Sequence, residues 1–251
     1  MFDGQYEVIL ADNAAGRCLH YRIRYLVYCM ETGFEDLRQF PDGLEQDVWD
    51  EQAAHFMVRT RATGEWIAAM RLILPRQGQL PIKQLCQLDT LPAASPSQLG
   101  EISRLCIVDH ARRRPHRDDI LDGLAGPGLS PDTHREPEIM LGLLRAAAAY
   151  SRNHDIHYWY FMTTTALARM VKRLNILLKP AGPMIQHRGE RYPFLADLDE
   201  SERRVRSKSA EIAAMLAQQT AYRLFSTVGG TMPLPDMPEP MPLTAQTRAA
   251  A

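Results

Sequence analysis

The sequence has few cysteines and no long apolar run. Its four cysteines, Cys18, Cys29, Cys86 and Cys106, lie far apart, with neither the C-x-x-C spacing of a zinc site nor the density of a disulfide scaffold. We therefore expect reduced, mostly buried thiols. No stretch approaches the ~18 uninterrupted apolar residues of a membrane span, and the acidic start lacks the basic region of a secretory signal. These absences predict a cytoplasmic protein with no membrane span.

Net charge is also nearly absent. The 251 residues contain 29 Lys+Arg and 30 Asp+Glu, a net charge of -1. Sequence-independent binding of nucleic acids requires an excess of basic residues, so we expect no nucleic-acid partner. The eight histidines show no paired metal spacing, and a Gly-x-Ser-x-Gly motif is missing. We therefore expect neither a metal nor a bound cofactor, and a serine hydrolase is disfavoured.

Hydrophobic periodicity predicts an alternation of helices and strands. The predicted elements are a helix at 14–30 capped by Asp12 or Asn13, a hairpin of strands 54–60 and 66–74, a strand at 101–108, a helix at 138–152, a strand at 157–164, a helix at 166–175, a bent strand pair within 176–197, and a last helix at about 200–225 begun by an Asp199/Glu202 capping box. This order predicts an α+β fold with three layers, α/β/α, around a mixed central sheet. We expect one domain over residues 1–225, with an inserted loop at 109–137 and a disordered proline-rich tail at 226–251.

Arginines interrupt two of the predicted strands. Arg71 stands inside WIAAMRLIL and Arg104 inside EISRLCIV. A single such residue is more often solvated, but an unpaired buried guanidinium costs several kcal/mol, so buried arginines need carboxylates nearby. We predict that the guanidinium groups and carboxylates pair three against three. The arginines are Arg24, Arg71 and Arg104, and the carboxylates are Asp47, Asp50 and Glu101.

In sequence order, these segments resemble the acyl-homoserine lactone synthase (autoinducer synthase) family. The family pattern runs Arg-x-x-Val-Phe, Trp, Glu-x-Asp-x-x-Asp, Arg-Leu and Glu-x-Ser-Arg. The corresponding residues are Arg24, Val27, Tyr28, Phe34, Glu45, Asp47, Asp50, Arg71, Leu72, Glu101, Ser103 and Arg104. The match covers roughly the first 110 residues, with Tyr28 in place of Phe and Phe34 in place of Trp.

The later block GPMIQHRGERYPF does not match the lactone synthases. It is similar to two related groups, the long-chain N-acyl amino acid synthases and the acyltransferases associated with exosortase/PEP-CTERM protein sorting. The second group is similar over the whole chain. The resemblance implies a GNAT-like fold and an acyl group taken from an acyl carrier protein thioester.

Transfer of an acyl group to an amine requires a deprotonated amine, a polarised thioester carbonyl and close approach of the two. We predict Glu101, Ser103 and Arg104 as catalytic residues: Glu101 as base, Ser103 facing the thioester and Arg104 anchoring the ionic cluster. The cluster comprises Arg24, Tyr28, Phe34, Asp47, Asp50 and Arg71. Strict strand alternation separates Arg104 from Glu101 and Ser103, so a β-bulge, or separate roles, is required. Backbone N–H groups at such a bulge are the expected oxyanion donors.

The absence of a glycine-rich turn indicates which acyl donor the enzyme uses. A coenzyme A enzyme of this fold would carry a Gln/Arg-x-x-Gly-x-Gly/Ala turn after the 101–108 strand, where this chain reads VDHARRRPHRDD. We therefore expect an acyl carrier protein as partner, with acyl-CoA as the less favoured donor. The acidic surface of a carrier protein requires a basic surface on its partner enzyme. The candidates are Arg112, Arg113, Arg114 and Arg117, or Lys172 and Arg173, with a solvated basic loop as an equal alternative.

The strand 157–164 with Met140, Leu143 and Leu144 is a candidate acyl-chain tunnel, although an ordinary core is the favoured reading. The leading hypothesis is an N-acyltransferase that joins a fatty acyl group to a small amine, giving an N-acyl amino acid or related product, with a link to a PEP-CTERM/exosortase system. The alternatives are a lactone synthase that uses S-adenosylmethionine and a non-catalytic acyl or carrier-protein binding module. The acceptor and the oligomeric state stay open.

Overall fold

A computed structural model describes residues 2–74, 79–109, 111, 135–173, 176–208 and 221–228. The strands are β1 (Tyr6–Leu10), β2 (Ala53–Thr60), β3 (Trp66–Ile73), β4 (Leu99–Ile107), β5 (Tyr158–Thr163), β6 (Leu178–Pro180), β7 (Ile185–Gln186), β8 (Glu190–Asp197) and β9 (Arg223–Leu224). The α-helices are α1 (Phe2–Gln5), α2 (Ala14–Tyr25), α3 (Pro81–Leu85), α4 (Arg135–Asn153), α5 (Thr165–Arg173) and α6 (Leu198–Lys208).

These strands form one mixed sheet, as predicted. The order is β6-β8-β5-β4-β3-β2-β1-β9, with β7 added beside β8. The β4–β5 and β1–β9 pairs are parallel, and the remaining pairs are antiparallel. The hairpin of β2 and β3 lies near the centre, and all eight residues of β3 are buried.

Helices cover both faces of the sheet. On β2, the His55 ring packs on His20 of α2 with a centroid distance of 4.6 Å, and Phe56 meets Tyr150 of α4 at 5.8 Å. Neighbouring strand residues point to opposite faces. The two helices therefore lie on opposite sides of the sheet, which confirms the three-layer prediction.

Helix α2 begins where the sequence indicates. The Asn13 side chain accepts a hydrogen bond from the Gly16 N–H at 2.9 Å, and this cap satisfies one of the unpaired donors of the first turn. The helix then continues as π-helical turns over Leu26–Glu31. Together these two segments account for the helix predicted at 14–30.

The expected bulge is present in β4. Ala69 pairs with Cys106 and Arg71 pairs with Ser103, so three steps along β4 oppose two along β3. Arg104 lies in the inserted position with a φ of 52°, a left-handed conformation that is unfavourable for a side chain of this size. The Tyr28 hydroxyl donates a hydrogen bond to the Leu105 carbonyl oxygen at 3.0 Å, which stabilises the bulge.

The C-terminal part of the predicted fold needs correction. Residues 223–224 form β9 beside β1, so the last helix does not extend to 225. The helix begins at Leu198, so Asp197 rather than Asp199 precedes it and accepts a hydrogen bond from the Glu200 N–H, while Asp199 in the first turn contacts His157 at 2.8 Å. Strand β1 was not predicted because the five residues YEVIL show no clear alternation.

Most of the predicted inserted loop and of the predicted tail lies outside the residues that the structure describes. Helix α4 already begins at Arg135, and Val228 is buried in the core. Residues 112–134 and 229–251 lie outside the described ranges, so the inserted loop and the proline-rich tail stay predictions. In the described part of the chain, no helix is long and apolar enough to cross a membrane.

Candidate active site

A cavity opens where β4 and β5 part. Residues Leu99–Ile102 of β4 pair with Tyr158–Phe161 of β5, and both strands continue beyond this paired stretch. The bulge at Arg104 follows directly after the last pair. The cavity beyond it has a volume of about 410 Å³, within the usual range of small-molecule sites. Its lining includes Tyr28, Phe34, Glu35, Asp47, Trp49, Arg71, Glu101, Ser103, Arg104, Leu105, Leu144, Phe161, Met162, Leu167, Val171, His187, Arg188 and Arg191.

A buried ion-pair network forms the polar side of this cavity. Arg24 is fully buried, and it donates to Glu45 at 2.5 Å and to Asp50 at 2.6 Å. Arg71 donates from Nη1 to Asp50 at 2.8 Å and to Asp47 at 2.6 Å. Asp50 Oδ1 therefore accepts from two guanidinium groups at once.

Arg104 completes the network from the bulge. Its guanidinium contacts Glu45 at 3.1 Å, Asp47 at 3.3 Å and Glu35 at 3.4 Å. The predicted pairing is confirmed for Asp47 and Asp50. It is wrong for Glu101, whose place among the paired carboxylates is taken by Glu45.

Attraction within the network outweighs the cost of burial. Burial acts to raise the pKa of Asp50, but the charges of Arg24 and Arg71 lower it to about 2. The pKa values of Glu45 and Asp47 are lowered in the same way, with their arginine partners opposing burial. All three carboxylates therefore stay ionised at neutral pH.

Glu101 lies in the opposite electrostatic situation. The residue is only 3% exposed, and its carboxylate accepts a hydrogen bond from the Ile82 N–H of α3 at 2.9 Å. Burial raises its pKa to about 7, although the Ile82 N–H and the charge of Arg71 oppose this. A carboxylate with a near-neutral pKa that lines a cavity suits proton transfer at physiological pH.

Ser103 and Tyr28 are held by the same arginines. Arg71 Nε donates to the Ser103 hydroxyl at 3.1 Å, and the Arg104 guanidinium lies 5.7 Å from the centroid of the Tyr28 ring. Tyr28 has a raised pKa because it is buried, so its hydroxyl remains protonated. Phe34 lines the cavity with half of its surface exposed.

The predicted acyl tunnel is divided between cavity and core. Leu144, Phe161 and Met162 line the cavity, whereas Met140 and Leu143 are buried in the core.

The predicted docking residues are only partly described. Lys172 and Arg173 are exposed at the end of α5, and the Lys172 ammonium lies 5.4 Å from the Phe194 ring centroid. Arg112, Arg113, Arg114 and Arg117 lie outside the described residues.

Several cavity residues were not predicted from the sequence. Glu35 and Trp49 lie beside predicted residues in the same loops, and Arg188 and Arg191 belong to the 182–194 block. Arg188 forms an ion pair with Glu35, which brings the β7–β8 hairpin against the network. The unusual composition of that block was the available signal, but the sequence does not show which strand it adjoins.

The cysteines are free thiols, with Cys29 and Cys106 buried. No group of three or more metal-ligating His, Cys, Asp or Glu side chains occurs among the described residues.

A sequence profile described as the acetyltransferase (GNAT) domain matches residues 23–120, a range that contains Arg24, Arg71, Glu101 and Arg104. The chain has no significant match among the curated proteins.

Solved acyl-homoserine lactone synthases have similar structures. BjaI, described as CoA-dependent and solved with SAM and isopentyl-CoA, has a TM-score of 0.58 and 17% identity over 88% of this chain and 92% of its own. TofI, solved in a ternary complex with an inhibitor and MTA, has a TM-score of 0.55 and 17% identity over 80% of this chain and 95% of its own. LasI has a TM-score of 0.53 and 17% identity over 77% of this chain and 90% of its own.

The domain match over residues 23–120 and the GNAT-like fold support an acyltransferase. Two of these structural neighbours, BjaI and LasI, are described as acyl-homoserine lactone synthases, and at 17% identity they establish the shared fold alone.

Because of this network, we predict that the fold loses stability in acid when Asp50 becomes protonated. Because its pKa is lower in the folded than in the unfolded chain, its stabilisation is complete above about pH 4 and is lost as the pH falls toward 2. We expect Asp50→Asn to lower the free energy of unfolding at pH 7 by about 3–5 kcal/mol and to flatten its decline in acid. Urea unfolding between pH 7 and 3 measures both. Asp36→Asn, at an exposed pair with Arg38, is the control, and equal losses would contradict this account.

The near-neutral pKa of Glu101 leads us to predict that turnover depends on pH. As a base it acts only when deprotonated, so kcat/KM for acyl transfer should rise with pH and level off above about 7. We expect Glu101→Gln to lower turnover by about 10²- to 10⁴-fold and to remove this rise. The exposed Glu200→Gln variant should match the wild type. An unchanged profile in Glu101→Gln would rule out Glu101 as the base.

Proposed function

We propose that the protein transfers a fatty acyl group from an acyl carrier protein thioester to the amine of an amino acid or a related small acceptor. The observation that carries this proposal is one cavity with two different walls. Glu101, with its near-neutral pKa, lies on the polar side, and Leu144 and Phe161 form an apolar side. Such a cavity can hold a polar amine and an acyl chain together.

The reaction follows from these positions. The acceptor reacts as the neutral amine. As its nitrogen attacks the thioester carbonyl, Glu101 takes the proton that the nitrogen loses. Backbone N–H groups of β4 beyond Ile102, where pairing with β5 ends, supply the oxyanion donors. The C–N bond forms, the C–S bond breaks, and the proton on Glu101 passes to the leaving thiolate of the carrier. The products are an amide and the free carrier thiol.

We propose that a second cavity extends the site for the acyl chain. This cavity has a volume of about 170 Å³, and its lining combines apolar residues such as Leu141, Trp159 and Val205 with charged ones such as Arg145 and Asp199. Leu144 lines both cavities and therefore stands at their boundary. A long acyl chain passing Leu144 would fill the second cavity, and a short chain would not reach it.

Charge supports a carrier protein as donor. One side of α5 contributes Leu167 and Val171 to the cavity, and its exposed side carries Arg169, Lys172 and Arg173. A basic surface next to the cavity entrance complements an acidic carrier. The glycine turn that holds the pyrophosphate of coenzyme A is missing from the sequence after β4. We further propose that the reaction takes place in the cytoplasm and, on the resemblance of residues 182–194, that it serves a PEP-CTERM/exosortase system.

Product identification tests the proposal. Incubation of the protein with C8–C18 acyl carrier proteins and a panel of amino acids and amines should yield an amide and the free carrier thiol by mass spectrometry. A lactone formed from S-adenosylmethionine would replace the proposal with lactone synthesis. Tight carrier binding without acyl loss would instead support a non-catalytic binding module.

We predict that Leu144, which lines both cavities, limits the length of the acyl chain that the enzyme accepts. Leu144→Trp should block the second cavity, so kcat/KM with the longest accepted chains should fall at least tenfold while short chains are little affected. The volume-conserving Leu144→Met variant should retain the wild-type preference. A similar loss for all chain lengths would contradict the proposed route.

A further inference from the structure

The hairpin that joins β7 and β8 carries positive charge into the cavity. Its turn, His187-Arg188-Gly189, closes with a hydrogen bond from the His187 N–H to the Gly189 carbonyl at 3.0 Å. Arg188 and Gly189 both have left-handed backbones, with φ values of 52° and 91°. This turn places His187, Arg188 and, two residues beyond Gly189, Arg191 on the cavity lining.

The cations of the polar wall differ in how they are neutralised. Arg71 and Arg104 are paired within the buried network, and Arg188 is paired with Glu35. Arg191 donates to the backbone carbonyl of Glu190 at 3.1 Å and has no ion-pairing carboxylate in the part of the chain that the structure describes. It therefore brings an uncompensated charge and further N–H donors to the cavity.

His187 marks the point where these charges converge. Its pKa is lowered first by burial and then by the charges of Arg188, Arg104 and Arg191. Burial and these charges therefore disfavour protonation of the ring, and an anion placed beside it would lie near the same guanidinium groups. A guanidinium group without a carboxylate partner, such as that of Arg191, is suited to bind an anion in a partly buried cavity.

We propose that Arg191, which lines the cavity together with His187, binds a carboxylate of the acceptor and makes the enzyme select amino acids over simple amines. This inference rests on the proposed acyl transfer. The hairpin lies on the polar side of the cavity, because Arg188 binds Glu35 and Glu35 in turn binds Arg104. A charged acceptor belongs on this side, next to Glu101, while the acyl chain takes the apolar wall.

Kinetics with matched acceptors test the assignment. Each amino acid is compared with the amine that lacks its carboxylate, for example phenylalanine with phenethylamine. Wild-type protein should prefer the amino acid, and Arg191→Gln should raise the KM for amino acids by about 10- to 100-fold with little change for the amines. Arg191→Lys should keep part of the preference. Arg203→Gln, at an exposed residue of α6, is the control.

The outcomes separate this inference from the proposed function. A rise in the KM of the acyl carrier protein alone would assign the anion to the donor's phosphate and overturn the proposal, as would transfer without any preference for the carboxylate. Calorimetric binding of N-dodecanoyl phenylalanine and N-dodecanoyl phenethylamine gives a readout that needs no turnover. If transfer fails but Arg191→Gln weakens only the carboxylate ligand, the site stands and the proposed function falls. If wild type binds both equally or neither, the site is wrong.

Discussion

The structure depends on a buried network of ion pairs in which Asp50 accepts from Arg24 and Arg71 at once. Charges are expensive to bury, so such a network is stable only when every member has its partners. The network joins α2, the 45–50 loop, β3 and β4, which come from distant parts of the chain. Its geometry therefore fixes how these elements lie relative to one another.

The open cavity follows from the last member of the network. Arg104 occupies a left-handed position in the bulge of β4, and its contacts with Glu45, Asp47 and Glu35 offset the unfavourable backbone. The bulge ends the pairing of β4 with β5. A local backbone strain, offset by buried ion pairs, is therefore found next to the cavity that we propose as the meeting place of donor and acceptor.

The two kinds of carboxylate in this region show how environment assigns roles. Asp50 and Glu101 are both buried, but the first has a pKa of about 2 and the second of about 7. The difference arises because the charges of Arg24 and Arg71 outweigh the effect of burial at Asp50, whereas burial prevails at Glu101 over the Ile82 N–H hydrogen bond and the charge of Arg71. One carboxylate is suited to permanent charge and the other to proton exchange.

Much of this arrangement could be predicted from local patterns. Arg71 and Arg104 interrupt apolar strands, which indicated the network, and the mismatch between alternation and function indicated the bulge. The exchange of Glu45 for Glu101 could not be predicted, because it depends on α3, a short helix that approaches β4 only in the folded chain. Strand β9 pairs with the distant β1 and leaves no clear local signal. A strand pair within 176–197 was predicted, but its place in the sheet depends on the pairing of β8 with β5, and its contact with the network depends on the Arg188–Glu35 ion pair.

The central claim is that the gap between β4 and β5 is the place where the thioester reacts. A crystal structure with a non-hydrolysable acyl-pantetheine analogue tests it most directly. This account predicts the carbonyl oxygen of the analogue within hydrogen-bond distance of β4 backbone N–H groups beyond Ile102, and the acyl chain against Leu144. An analogue bound outside this gap, or with its carbonyl away from β4, would contradict it.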